Sequence, residues 1–113
     1  MSMIEKTQEI NELMDAYENL LTDKQCETMK LYYQEDFSLS EIAENMNISR
    51  SAVNDTMKRS EAILREYESK LNLVLKFKER SRIYQAMHEA SPKQIEDYLK
   101  QLESLDDTGG NYE

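Results

Sequence analysis

The stretch that most restricts what this chain can become runs from Ser38 to Arg59, SLSEIAENMNISRSAVNDTMKR. Leu39, Ile42, Ala43 and Met46 recur at helical spacing, Asn47-Ile48-Ser49 interrupts them, and Val53 and Met57 restart the pattern. Ser38 and Glu41 form the S-x-x-E capping box, in which the hydroxyl accepts from the Glu41 N–H and the carboxylate reaches back to the N–H of Ser38. Ser49 is placed to cap the second helix. Small Ala43 lets that helix cross closely over the first, and Ile48 fills the space beneath the turn. The pattern is a helix-turn-helix. Helices this short are unstable in isolation, so neighbours must hold the geometry.

Those neighbours must themselves be helical. The 113 residues make one domain's worth of chain with room for a helical extension. They include two Gly and one Pro, none of them before Pro92, so the breaks between helices fall to caps and polar turns. We expect an all-α fold. No apolar run approaches the ~20 residues of a membrane span. The N-terminus, with Glu5 and Lys6, lacks the basic-then-apolar pattern of a signal peptide, so the expectation is a cytoplasmic protein without membrane association.

The same composition bounds the chemistry. Cys26 is the sole cysteine, which excludes an internal disulfide, and a zinc site would have to be built from Cys26, His88 and carboxylates without any ligand-like spacing. There is no Gly-rich phosphate loop, no paired Cys or His cluster and no nucleophile-base set. No catalytic residue, metal site or cofactor is assigned, and an enzyme is not expected.

Charge is unevenly spread. The net charge of −9 opposes casual contact with nucleic acid, because Lys and Arg neutralising phosphates supply most non-specific affinity. Yet residues 1–49 carry −8, residues 50–82 carry +4 and residues 83–113 carry −5. Positive charge begins at Arg50, where the second motif helix begins, and continues to Lys76, Lys78, Arg80 and Arg82. An acidic chain with one basic helix suits a selective binder of nucleic acid or a docking surface for an acidic protein.

Taken in order, residues from about 4 to 21 place Ile10, Leu13, Met14, Tyr17, Leu20 and Leu21 on one apolar face. Thr22 and Gln25 form a second capping box, opening a supporting helix to about Glu35 that buries Cys26, Met29, Leu31 or Tyr32, and Tyr33. After Ser49 no stop signal intervenes. Val53, Met57, Ser60, Leu64, Tyr67, Leu71 and Val74 alternate steps of four and three, so the second motif helix should reach about residue 75. Covering this stripe falls to a helix through Ile83, Tyr84 and Met87 that ends near Ala90, and to a last helix over about 92–105 carrying Ile95, Tyr98, Leu99, Leu102 and Leu105. The expected division is a helix-turn-helix domain with extended helix over 1–75, a C-terminal helical extension over 76–105 and a disordered tail over 106–113. Any part of the stripe from Leu64 to Val74 left open should be buried in a homodimer.

LTDKQ at 21–25, YYQEDFSLSEIAENMNISRSAV at 32–53 and KR at 58–59 resemble the YlxM family of small bacterial proteins. The motif is more distantly similar to the promoter-reading C-terminal domain of sigma factors. The likeness to YlxM extends from about residue 5 to 105. It implies a sigma-like helix-turn-helix domain with an extended last helix, and association with the signal recognition particle pathway, whose GTPase such proteins are typically encoded beside. Where the family commonly has Gln and Tyr at the start of the second helix, this chain has Ser51 and Asn54, and Asn can read adenine in a major groove.

Together these readings give a DNA- or RNA-binding regulatory protein. Arg50, Lys58 and Arg59 would contact phosphates, and Ser51, Asn54 and Asp55 would face base edges. The alternative is a protein adaptor that keeps the motif as a scaffold for docking the particle's GTPase.

Overall fold

The computed structural model describes residues 2–108, with backbone alone for 107 and 108. Its described residues form helices and no strands. The chain falls into two compact units that divide between Lys70 and Leu71.

The N-terminal unit begins with α1, Met3–Tyr17, which is capped by Ser2: its Oγ accepts from the Glu5 N–H at 3.2 Å. A 3-10 turn over Glu18–Leu20 follows. The tighter winding turns Leu20 off the apolar face, leaving it 49% exposed, whereas the sequence pattern placed it inside. α2, Asp23–Tyr33, opens on the Thr22/Gln25 capping box with bonds of 3.2 and 3.0 Å. α3, Leu39–Met46, opens on the Ser38/Glu41 box at 3.1 and 2.9 Å, and α4 runs as one helix over Arg50–Leu71.

Ile10, Leu13, Met14, Tyr17, Leu21, Met29, Tyr33, Ile42, Val53 and Leu64 form the core of this unit. Each fully buried side chain of this size contributes about 1.5–3 kcal/mol, against about 1 kcal/mol for a cap. Burial therefore holds the unit together, while the caps decide where each helix starts. Two buried hydroxyls are satisfied by carbonyls one turn back: Thr28 Oγ1 donates to Lys24 O and Ser60 Oγ to Thr56 O, both at 2.7 Å.

Three of the breaks between helices, those after α2, α3 and α4, fall where the chain takes a left-handed residue. With no glycine before residue 109, the positions are Asp36, Asn47 and Asn72, at φ 59°, 56° and 55°. Asn and Asp are the non-glycine residues that tolerate this region. Asn72 ends α4 at Leu71, short of the expected residue 75, and starts α5 at the next residue.

The C-terminal unit is a helical hairpin of α5, Leu73–His88, and α6, Pro92–Thr108, which pack on each other. Pro92 occupies the first helical position of α6, and the Ser91 N–H donates to Gln94 Oε1 at 3.0 Å. Ile83 is the buried apolar side chain here, and Arg80 reaches Asp106 at 3.3 Å. Asp106 to Thr108 thus continue α6, and the rest of the expected tail, 109–113, lies outside the described residues.

Candidate nucleic-acid interface

The motif's turn is built from backbone bonds. Asn47, left-handed, donates to Glu44 O at 3.3 Å and Ile48 donates to Ala43 O at 3.0 Å, the pair of bonds that closes a Schellman motif. Ser49 then starts α4: its Oγ accepts from the Ala52 N–H at 3.0 Å and its carbonyl from the Val53 N–H at 3.1 Å. Only two residues separate the left-handed Asn47 from the first helical residue, Arg50. The Glu41 carboxyl is held below the usual carboxylate range by the Ser38 backbone N–H it accepts, and then by the Ser38 hydroxyl. The box is therefore in its ionised, hydrogen-bonding form at neutral pH.

At about 100° per residue, Arg50, Ser51, Asn54, Asp55, Lys58 and Arg59 occupy one half of the α4 circumference. Val53, Ser60 and Leu64 lie on the opposite half and are fully buried. Arg50, Ser51, Asp55, Lys58 and Arg59 are exposed and Asn54 is half-buried. All six expected site residues therefore share one outward face.

The cations on this face differ from those further along α4. Arg50, Lys58 and Arg59 enter no ion pair among the described residues. Further along α4, Arg65 is held by Glu9 and by Glu61, the latter at 3.3 Å, and Lys70 is paired with Glu66 at 3.1 Å. In the C-terminal unit Arg80 and Arg82 are paired with Asp106 and Glu79. The positive charge at the start of α4 is left uncompensated by the fold.

α1 fixes the other half of α4. Tyr17 Oη donates to Glu68 Oε1 at 2.6 Å, the Tyr17 and Tyr67 rings stack with centroids 6.1 Å apart, and Lys6 and Glu9 of α1 pair with Glu61 and Arg65. The stripe through Leu64 and Tyr67 is thus covered by the first helix, where the sequence reading assigned the task to the C-terminal helices. Leu71, at the end of that stripe, is 43% exposed. Tyr17 was visible as an apolar position. Its pairing partner, fifty-one residues on, had no sequence signal.

Other reactive groups are absorbed locally. The Cys26 thiol donates to Glu18 Oε2 at 3.5 Å, and burial, followed by that carboxylate, pushes its pKa up, the opposite of an activated nucleophile. Lys30, 2.8 Å from Glu18, holds the Glu18 carboxyl below its ordinary range. Among the described residues no three His, Cys, Asp or Glu side chains gather as a metal site requires, and no helix is long and apolar enough to cross a membrane.

Residues 4–104 match the family described as "Putative helix-turn-helix protein, YlxM / p13 like". A UPF0122 protein of Halalkalibacterium halodurans is 53% identical over 106 residues, covering 92% of this chain and 97% of its own length. A UPF0122 protein of Bacillus licheniformis is 49% identical over 105 residues, covering 91% and 98%. One from Geobacillus sp. WCH70 is 44% identical over 110 residues, covering 92% and 100%.

Proposed function

Because the chain belongs to the YlxM/p13-like helix-turn-helix family, we propose that it is a nucleic-acid-binding regulatory protein that presents the N-terminal half of α4 to its target. Arg50, Lys58 and Arg59 contact phosphates, and Ser51, Asn54 and Asp55 face base edges. The observation that carries this reading is the uncompensated charge: three cations without ion pairs on the motif's second helix, in a chain of net charge −9 whose other α4 cations are neutralised. With three such groups the electrostatic contribution is small. Affinity is then modest and depends on which sequence or shape is offered.

As ligands to offer we propose DNA and, beside it, the signal recognition particle's RNA and its GTPase. In an RNA duplex the deep narrow major groove excludes α4, so binding there would run through phosphates and shape. Fluorescence anisotropy with each ligand at two salt concentrations tests the proposal. Lys58→Glu should weaken nucleic-acid binding and flatten the salt slope by roughly one to two units. Asn54→Ala should cost about 1–3 kcal/mol on one preferred sequence and little on others. If Lys58→Glu leaves nucleic-acid affinity unchanged and instead abolishes capture of the GTPase, the protein is an adaptor that uses the motif as its scaffold.

A further inference from the structure

We infer that the α5–α6 hairpin docks on the same hairpin of a second copy of this chain, forming a four-helix bundle in which each α5 lies along the partner's α6. The hairpin consists of helices of 16 and 17 residues, and among the described residues it fully buries one apolar side chain, Ile83, while Met87, Ile95, Tyr98 and Leu102 are half-buried. On α5, Phe77 and Tyr84 are 65% and 51% exposed, and they share a helix face because seven residues separate them. Leu99 of α6 is 46% exposed. Units this small with so little fully buried apolar surface are marginal alone, and association is a usual remedy.

Charge selects the occupant. α5 carries Lys76, Lys78, Arg80 and Arg82 against one acidic residue, Glu79. α6 carries Glu96, Asp97, Glu103, Asp106 and Asp107 against Lys93 and Lys100. Two-fold pairing is isologous, so one contact of basic α5 with acidic α6′ brings its mirror, α6 with α5′. Packing α5 on α5′ would instead set like charges together. The chemistry of the contact already exists within one hairpin, where Arg80 meets Asp106. The apolar residues then meet in the middle of a bundle with basic-acidic seams, the ordinary arrangement of such assemblies.

This inference is independent of nucleic-acid binding, and sedimentation equilibrium on the full chain tests it. The wild-type chain should be dimeric at micromolar concentration, and Phe77→Glu should weaken association at least ~tenfold. A charge exchange guards against a variant that merely unfolds. Lys76→Glu/Arg80→Glu makes both helices acidic and Glu96→Lys/Glu103→Lys makes both basic, so each variant alone should dissociate. Mixed in equal amounts, the two should recover a heterodimer, because both seams are then complementary. The Arg80–Asp106 pair lost in the first variant is solvent-exposed, and a screened surface pair of this kind contributes too little to unfold the hairpin. A monomeric wild-type chain at high micromolar concentration overturns the inference. So does a dimer insensitive to Phe77→Glu, or a mixture that fails to recover.

Discussion

Asn47 stands where α3 must release the chain into α4, and its left-handed backbone is what lets the Schellman bonds close. A β-carbon without a compensating polar group costs about 1–2 kcal/mol in this region, so Asn47→Ala should destabilise the protein by roughly that much. Asn47→Gly should be neutral or slightly stabilising. Urea unfolding of the two variants separates the backbone effect from any loss of side-chain contact, and equal behaviour would refute it. Tyr33 offers a second residue-level check. Burial, reinforced by the nearby Glu61 carboxylate, pushes its phenol up to about 12. Folding thus favours the neutral phenol, and this contribution is complete below the ordinary value near 10 and is lost as pH rises through about 12. A tyrosine ionisation step near pH 12 that disappears in Tyr33→Phe is the expected absorbance titration. Sequence alone named both capping boxes and the Asn47 break, since caps and turns are local chemistry. It could not say that Asn72 would take the same left-handed role, because nothing in its immediate neighbours marks a stop.

At the scale of elements, α4 is two objects on one helix: an outward face with free cations at its start and a clasped stretch from Glu61 to Glu68 at its end. Leu64, fully buried in the clasped stretch, should cost about 2–5 kcal/mol when changed to Ala. Arg65→Ala should cost no more than about 1 kcal/mol, because its partners are partly exposed. Denaturant midpoints that rank the two in the opposite order would mean that ion pairs, and not packing, hold α1 to α4. The heptad steps from Val53 to Val74 foretold a long helix, and a long helix is there. What periodicity could not foretell is the partner, since a stripe records only that it must be covered. α1, whose own apolar face was equally plain, had as good a claim as the C-terminal helices. The mistake at Leu20 has the same origin: a pattern of 3.6 residues per turn cannot announce that the chain tightens to three after Tyr17.

For the whole molecule, the all-α class and the motif could be read from Ser38 to Arg59 because caps, turn and apolar spacing agree there. The candidate face could be read as well, since residues at helical spacing share a face wherever the helix ends. That its three cations stand unpaired could not be read, because ion pairing depends on which acidic helix arrives beside them. The clasp between α1 and α4 also has a consequence in time. Its bonds join residues 51 and 56 positions apart, Tyr17 to Glu68 and Glu9 to Arg65. During synthesis the chain emerges N-terminus first, so every residue of the motif is present once Arg59 has appeared. The α4 partners in the clasp, Arg65, Tyr67 and Glu68, have not yet been made. A nascent chain stalled between Arg59 and Leu64 would hold the whole motif together with the core residues of α1, α2 and α3, and would lack Leu64 and the clasp, so the start of α4 can seat on its core before the far end of the helix is tied down.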